Sequence, residues 1–502
     1  MTPPKNPPST PPMTPPMTPL LIENAEIDGA RAALRIREGR IADLGPKLRP
    51  EPGEARLDAR DGALLPGLHD HHIHLLALAA ARDSVACGPP AVRNASELGA
   101  ALEEAASQAR HREGSARWVR GVAYHESVAG PLDRRRIDAL VDDVPIRIQH
   151  RSGVFWFVNS KGLAALNLAS DGPEKASSDP DAEDRANGRL RRADPWLRER
   201  IGSTRPPALG EVGAELARLG VTGVCDATPS NGPEAWALLA AAKASGELPQ
   251  RLRVMGDPSL PLRRTASMQC GELKIMLDED HLPEEHALVE KIQRAHRDRR
   301  GVAFHCVTRA EIVMAAAALE SAGGGPGDRI EHASLAPPDI VAWLARLGVT
   351  VVTQPNFLLE RGDVYRREVP RHDQPWLYRG QGFIEAQVPL GGGTDAPFGV
   401  CDPWAAMRAA VRRRSAEGAG MRVEEEALTP EQALGLFTSS LDSPGQPRGP
   451  LAVGQPADLI LLDRPWSQAR LRLAPEDLSA VWIDGKRVWE RGTPAPEPLT
   501  PS

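Results

Sequence analysis

The sequence predicts an α/β protein: a (β/α)8 TIM-like barrel, with a small composite β-sandwich from both chain ends and an inserted subdomain after the first barrel strand. Three observations carry that reading. Short apolar strands alternate with helical patterns through the middle of the chain, as parallel βαβ units require. Both ends are strand-rich, and each is too short to bury a core alone. One long interval breaks the alternation and needs structure of its own.

Residues 1–19 read MTPPKNPPSTPPMTPPMTP. Proline fixes φ and removes backbone donors, which excludes a helix or a central strand. A disordered Pro/Thr-rich tail is expected there, with a second at 493–502. No apolar core of a secretory signal is present in the tail. Residues 20–62 show apolar alternation at Leu34 and Ile36 and at Ile41 and Leu44. Residues 447–492 carry PADLILLD and LSAVWIDGKRVWERG, in which Asp484 and Gly485 supply a hairpin turn. The economical arrangement is one sandwich built from both segments.

Between them, residues 63–446 are expected to form the barrel, with strands near 63–68, 221–227, 252–256, 273–277, 302–307, 328–332, 349–353 and 388–390. Right-handed crossovers close about eight such strands into a barrel more readily than into an open sheet. A doubly wound sheet is the alternative, but no GxGxxG turn follows the first strand. The interval 85–205 reads as the inserted subdomain, with a helix around 95–110, strands near 118–122 and 146–149, and a polar stretch at 177–187. Its Trp118, Tyr124, His125, Phe155, Trp156 and Phe157 are candidate pocket walls, although such a cluster is more often simply core.

Composition narrows the function. The 502 residues carry a formal net charge of -6, which gives no basic signature for nucleic acid. No apolar run approaches the roughly 18 residues of a membrane span. Five cysteines are few, odd in number and widely spaced, which points away from a disulfide framework and toward a reducing, cytoplasmic compartment. None forms a CxxC pair that would suggest a thiolate zinc site.

The densest chemical signal is LLPGLHDHHIHL, which holds His69, His71, His72 and His74, four of the chain's 13 histidines. Side chains two apart on a strand share a face, so His72 and His74 could grip one ion together. In GELKIMLD, alternation turns Leu273, Ile275 and Leu277 to the helices and Glu272, Lys274 and Met276 to the barrel interior. A buried lysine needs a partner, such as Glu272, or must lose its charge. A neutral amine there could take up carbon dioxide as a carbamate that bridges two metals. His305 interrupts the fifth strand, His332 ends the sixth, and Asp395 follows the eighth. All lie near strand C-termini, where barrel enzymes place their chemistry. Glycines 391–393 leave room and allow unusual dihedrals before Asp395.

This order of motifs resembles the metal-dependent amidohydrolase superfamily, in particular the branch that includes D-aminoacylases and N-substituted formamide deformylases. The resemblance runs from about Leu20 to Gly492. The PGxxDxHxHL element matches Pro66, Gly67, Asp70, His72, His74 and Leu75, and its register selects His72 and His74 over His69 and His71. The strand-four lysine matches Lys274, the strand-five histidine His305, the strand-six RIEH Arg329 to His332, and the strand-eight aspartate Asp395. LTPEQALGLFT and GPLAVGQPADLILLD match the closing pattern.

The resemblance implies one or two divalent metals, usually zinc, and hydrolysis of an amide, N-acyl or N-formyl C–N bond in a small molecule. His72, His74 and Asp395 would hold one metal, and His305 and His332 the second, with carboxylated Lys274 bridging. Asp395 would also be the catalytic acid–base group, taking the water's proton and passing it to the leaving amine. No nucleic-acid or membrane partner is expected; a homodimer is possible, and the sequence does not fix the oligomeric state. A deaminase acting on an amidine-type ring is the alternative chemistry, and a non-catalytic scaffold of the same fold a third. Three departures bear on the substrate: Val154 stands where the branch usually has a histidine, LDEDHLPEE follows Lys274 without the usual glycine-rich loop, and strand five ends HCVTRA.

Overall fold

The computed structural model describes residues 17–89, 91–112, 117–168, 182–202, 207–418, 420 and 424–493. Most of both expected tails and residues 177–181 of the polar stretch lie outside the described residues. Pro19 is described, and its carbonyl accepts a hydrogen bond from Ala55 N at 2.9 Å.

Eight parallel strands form the central sheet: Leu68–Ile73, Val221–Asp226, Arg251–Gly256, Met268–Met276, Val302–Cys306, Arg329–His332, Thr350–Thr353 and Leu390–Gly392. They neighbour one another in chain order, as successive right-handed crossovers dictate. The sheet closes where strand eight runs back onto strand one: Asp395 N donates to His72 O at 2.7 Å, and His74 N donates to Ala396 O at 2.9 Å. The fold is the expected (β/α)8 barrel.

Alternation explains which side chains face which way. Leu273, Ile275 and Leu277 pack outward with Leu288 and Ile292 of helix Glu285–Arg297. Val302, Phe304 and Cys306 join the same core. Cys225, Ala227, Met255 and Ala303 form a small apolar cluster of their own. Burying each such aliphatic side chain contributes roughly 1.5–3 kcal/mol.

One local expectation is corrected. The first barrel strand is not 63–68 but Leu68–Ile73, and it carries the histidines itself. Leu64–Pro66 pairs instead with Leu459–Leu462. Continuous apolarity across this join hid the break, which falls at Gly67, where a Cβ would lie 2.2 Å from Thr222 Oγ1. The crossover between strands three and four, residues 257–267, contains no helix.

Both chain ends meet in two four-stranded sheets. One is made of Leu20–Ile27, Ala30–Arg37, Arg40–Gly45 and Ala55–Asp58; the other of Leu64–Pro66, Leu459–Leu462, Leu478–Ile483 and Lys486–Glu490. Ile22, Leu34 and Ile36 of the first pack with Leu459, Leu461 and Trp482 of the second. After barrel strand one the chain forms a five-stranded sheet from Val85–Ala86, Val119–Tyr124, Ile146–His150, Phe155–Val158 and Arg189–Arg191. This sheet has its own cores. Tyr124 and Phe157 belong to one and Trp156 to another, so these three aromatics are packing residues and not the expected pocket walls.

Candidate metal centre

Barrel closure assembles the site. The backbone bonds between strand one and the segment after strand eight bring Asp395 beside the two histidines of strand one. Asp395 Oδ1 lies 3.0 Å from His74 Nε2 and 3.5 Å from His72 Nε2. One ligand atom from each of His72, His74 and Asp395 falls within 4.8 Å of the others. Asp70 pins the same junction by accepting from Thr394 N at 3.0 Å, Thr394 Oγ1 at 2.6 Å and His72 N at 3.1 Å. Glycine is needed at 393 for closeness: a Cβ there would lie 2.5 Å from His72 Cβ. The expected unusual dihedrals fall instead on Asp395 (φ 58°) and His332 (φ 68°), conformations that side chains other than glycine adopt at a cost.

Strands four to six bring in the other candidates. Met276 pairs with His305, and Cys306 pairs with His332. The His332 ring centroid lies 4.6 Å from that of His305 and 4.7 Å from that of His72. Lys274 Nζ is buried with no hydrogen-bond partner among the described residues, and its ion pair with Glu331 Oε2 spans 3.9 Å. The structure therefore gathers all six predicted residues at one end of the barrel. His69 and His71 point away from this group. His69 Nδ1 bonds Ser439 O at 2.7 Å, and His71 Nε2 bonds Ser439 Oγ at 3.0 Å.

The outer nitrogens of these rings are held from behind. His72 Nδ1 bonds the carboxylate of Glu331, His74 Nδ1 bonds Thr228 Oγ1 at 2.9 Å, and His332 Nδ1 bonds Gln354 Oε1 at 2.6 Å. The carboxylate and amide oxygens only accept, so they place the proton on Nδ1 of His72 and His332 and leave Nε2 free for a ligand, while Thr228 holds the ring of His74. Thr228 is placed by Asp226, which accepts its backbone N–H at 3.0 Å. Glu331 was visible only as part of the RIEH match. Thr228 and Gln354 had no signal in the sequence, because their partners lie on other strands.

Charge reinforces the arrangement. Burial holds the imidazoles of His72 and His332 well below the usual histidine range. His305 keeps some accessible surface, yet desolvation and then the charge of Lys274 push it down to about 3. Burial also lowers Lys274, against the attraction of Glu331. Burial is the largest influence on Glu331 and pushes its carboxyl up, but the charges of Arg329 and Lys274 and the Arg329 hydrogen bond together hold it below the usual glutamate range. The centre thus offers neutral imidazoles, two carboxylates and an orphaned amine, a donor set that suits a divalent ion.

A (β/α)8 barrel with histidines, a lysine and an aspartate at its strand ends defines a class: metal-dependent barrel hydrolases. The chain belongs to the amidohydrolase family, whose sequence model matches residues 56–489. It is a hydrolase of carbon–nitrogen bonds other than peptide bonds, and its chemistry is metal-dependent. It is 24% identical to an N-substituted formamide deformylase of Arthrobacter pascens, over 94% of this chain and 98% of that one. An uncharacterized metal-dependent hydrolase from Pyrococcus horikoshii OT3 shares the fold at a TM-score of 0.69 and 21% identity, covering 89% of this chain and 97% of that one. Atrazine chlorohydrolase from Arthrobacter aurescens TC1, complexed with zinc, superposes at a TM-score of 0.54 and 15% identity, covering 96% and 97%. No helix among the described residues is long and apolar enough to cross a membrane.

Proposed function

We propose that this protein hydrolyses a small N-formyl or N-acyl compound, with His72, His74 and Asp395 holding one divalent ion and His305, His332 and Lys274 completing a second position. The observation that carries this reading is the convergence of His72, His74 and Asp395 within 4.8 Å. The orphaned amine of Lys274 beside them supports its conversion to a carbamate, which would supply the missing anionic ligand. Zinc suits imidazole and carboxylate donors, and a similar structure holds zinc. The likeness to a formamide deformylase supports the substrate class. Five free cysteines among the described residues favour a reducing cytoplasm.

A bound divalent ion lowers the pKa of a coordinated water toward about 7 and polarises the scissile carbonyl. The chain's own residues do the rest. Asp395 Oδ1 accepts a proton from the attacking water and returns it to the nitrogen of the leaving amine. Glu331, Thr228 and Gln354 keep the three imidazoles turned so that Nε2 faces the reaction. Purified protein should contain about one to two equivalents of zinc or a similar ion. It should release formate or another carboxylate from a panel of N-formyl, N-acyl and cyclic amides. Full activity in metal-free protein, or release of ammonia from ring amidines alone, would defeat the proposal.

A further inference from the structure

A second polar cluster overlooks the centre from the inserted sheet. Its link to the site is direct. The Phe398 ring packs edge-on against His74, with centroids 5.3 Å apart, and a Cβ at Gly153 would meet that ring at 2.7 Å. The segment leading to Gly153 begins at His150, which ends strand Ile146–His150. Arg361, on the helix that follows barrel strand seven, donates to Phe398 O at 2.6 Å and to Arg151 O at 3.4 Å. This cluster therefore stands at the C-terminal mouth of the barrel, one ring beyond His74.

The tautomers of its histidines are fixed by backbone. Ser127 N donates to His125 Nδ1, and Ser152 N donates to His150 Nδ1, each at 3.2 Å. A neutral ring whose Nδ1 accepts a hydrogen bond carries its proton on Nε2. Both Nε2 atoms turn to one carboxylate oxygen: Glu126 Oε2 lies 3.1 Å from His150 and 3.9 Å from His125. One N–H bonded to that oxygen and a second 3.9 Å from it, beyond hydrogen-bond reach, are donors suited to an anion. They cannot ligate a cation, since the lone pair they would need is occupied by the proton.

Arg151 decides the sign of the ligand. Its guanidinium makes no hydrogen bond or ion pair among the described residues, although it is partly buried. Its charged neighbours are Arg361, Glu368 and Glu126. Arg361 offers no compensation, since it stacks over Phe357 at 4.0 Å and donates to the two carbonyls above. A partly desolvated cation without a partner is costly, and an incoming anion relieves that cost.

We infer that the mouth holds a carboxylate on the substrate, gripped by Arg151 and by the Nε2–H donors of His125 and His150, with half-exposed Glu126 giving way to it. This rests on the hydrolase reading above and narrows it to amides that carry an anionic group, a choice made by residues of the insertion.

The test pairs N-formyl and N-acetyl leucine, in both hands, with the same compounds bearing a primary amide in place of the carboxylate. The metal-loaded enzyme should favour the carboxylate member roughly tenfold or more in kcat/KM, the size expected of a charge-assisted contact. Arg151→Gln should collapse that ratio toward one through KM. Glu126→Gln should raise the ratio, because it removes the competing carboxylate, and misfolding would not mimic that sign. Calorimetric binding of the same pairs is measured beside turnover. Carboxylate-selective binding that Arg151→Gln abolishes, with no turnover of any pair, would uphold the anion site and defeat the hydrolase reading. A wild-type ratio near one in both measurements, or equal losses on both members in Arg151→Gln, would overturn the inference.

Discussion

Asp395 adopts left-handed backbone at φ 58° and places Oδ1 3.0 Å from His74 Nε2. A residue held in that region is one whose surroundings over-determine it. Asp395→Asn is nearly isosteric and should keep the fold. Its amide cannot accept the water's proton, so turnover should fall by about 10² to 10⁴, the contribution of general acid–base catalysis. Metal content should be measured beside the rate, since a charged candidate ligand is also replaced. Turnover within about threefold of wild type at normal metal content would remove Asp395 from the proton path, because base loss predicts far more. Glu331 has a different task. Its carboxylate bonds His72 Nδ1 and Arg329 Nε and faces Lys274. Glu331→Gln should weaken metal affinity about 10- to 100-fold, as for other groups that orient a ligand. It should also cost on the order of 3 kcal/mol of stability by stranding buried Arg329. A chelator competition and a denaturant melt would check both effects. Unchanged metal affinity would show that His72 needs no such support.

At the scale of elements, the centre depends on how strand eight meets strand one. The glycines after Pro389 are there for approach. Gly393 passes 2.5 Å, measured to a hypothetical Cβ, from His72 Cβ and 2.7 Å from His72 N. Gly393→Ala should force the strands apart, with a cost of roughly 1–3 kcal/mol for overpacking. It should also weaken metal binding, because Asp395 and the histidine pair lie on opposite sides of that seam. Thermal melts and metal titration would reveal it. A variant with wild-type melting temperature and metal stoichiometry would show that the seam has slack. The strands themselves were legible from apolar runs and from the polar residues interrupting them. Lys274, His305 and His332 broke otherwise apolar strands, and that is why they were found. The split between Leu64–Pro66 and Leu68–Ile73 was not legible, because both pieces are apolar and only their partners differ.

For the whole molecule, buried neutral histidines couple stability to pH. Burial pushes His69 down to about 4, while an unfolded chain titrates it near about 6.5. Above roughly pH 6.5 neither state carries the proton, so this group adds no slope. Below it the unfolded chain gains the proton first, and stability falls by roughly 2 kcal/mol per such histidine by about pH 5. His72 and His332 are shifted in the same direction. Metal-free protein should therefore lose melting temperature steadily from about pH 7 to about pH 5. A level melting temperature over that interval would mean that these rings are not buried in neutral form.

The sequence by itself determined the barrel and the two-ended small sheets and singled out six candidate residues near the strand ends, because hydrophobic period and strand polarity are local properties of the chain. It did not determine what stands behind those residues. Thr228 supports His74, Gln354 supports His332, and Glu331 supports His72, each across strands that are distant in the chain. The sequence also could not tell that Trp156 and Phe157 are core while His150 reaches Glu126 and the Arg151 carbonyl meets Arg361, since all four lie in one short stretch of mixed character. Only the tertiary structure decided these, because a hydrogen bond or an open edge depends on which strands become neighbours, and that is fixed by closure of the barrel and packing of the inserted sheet against it.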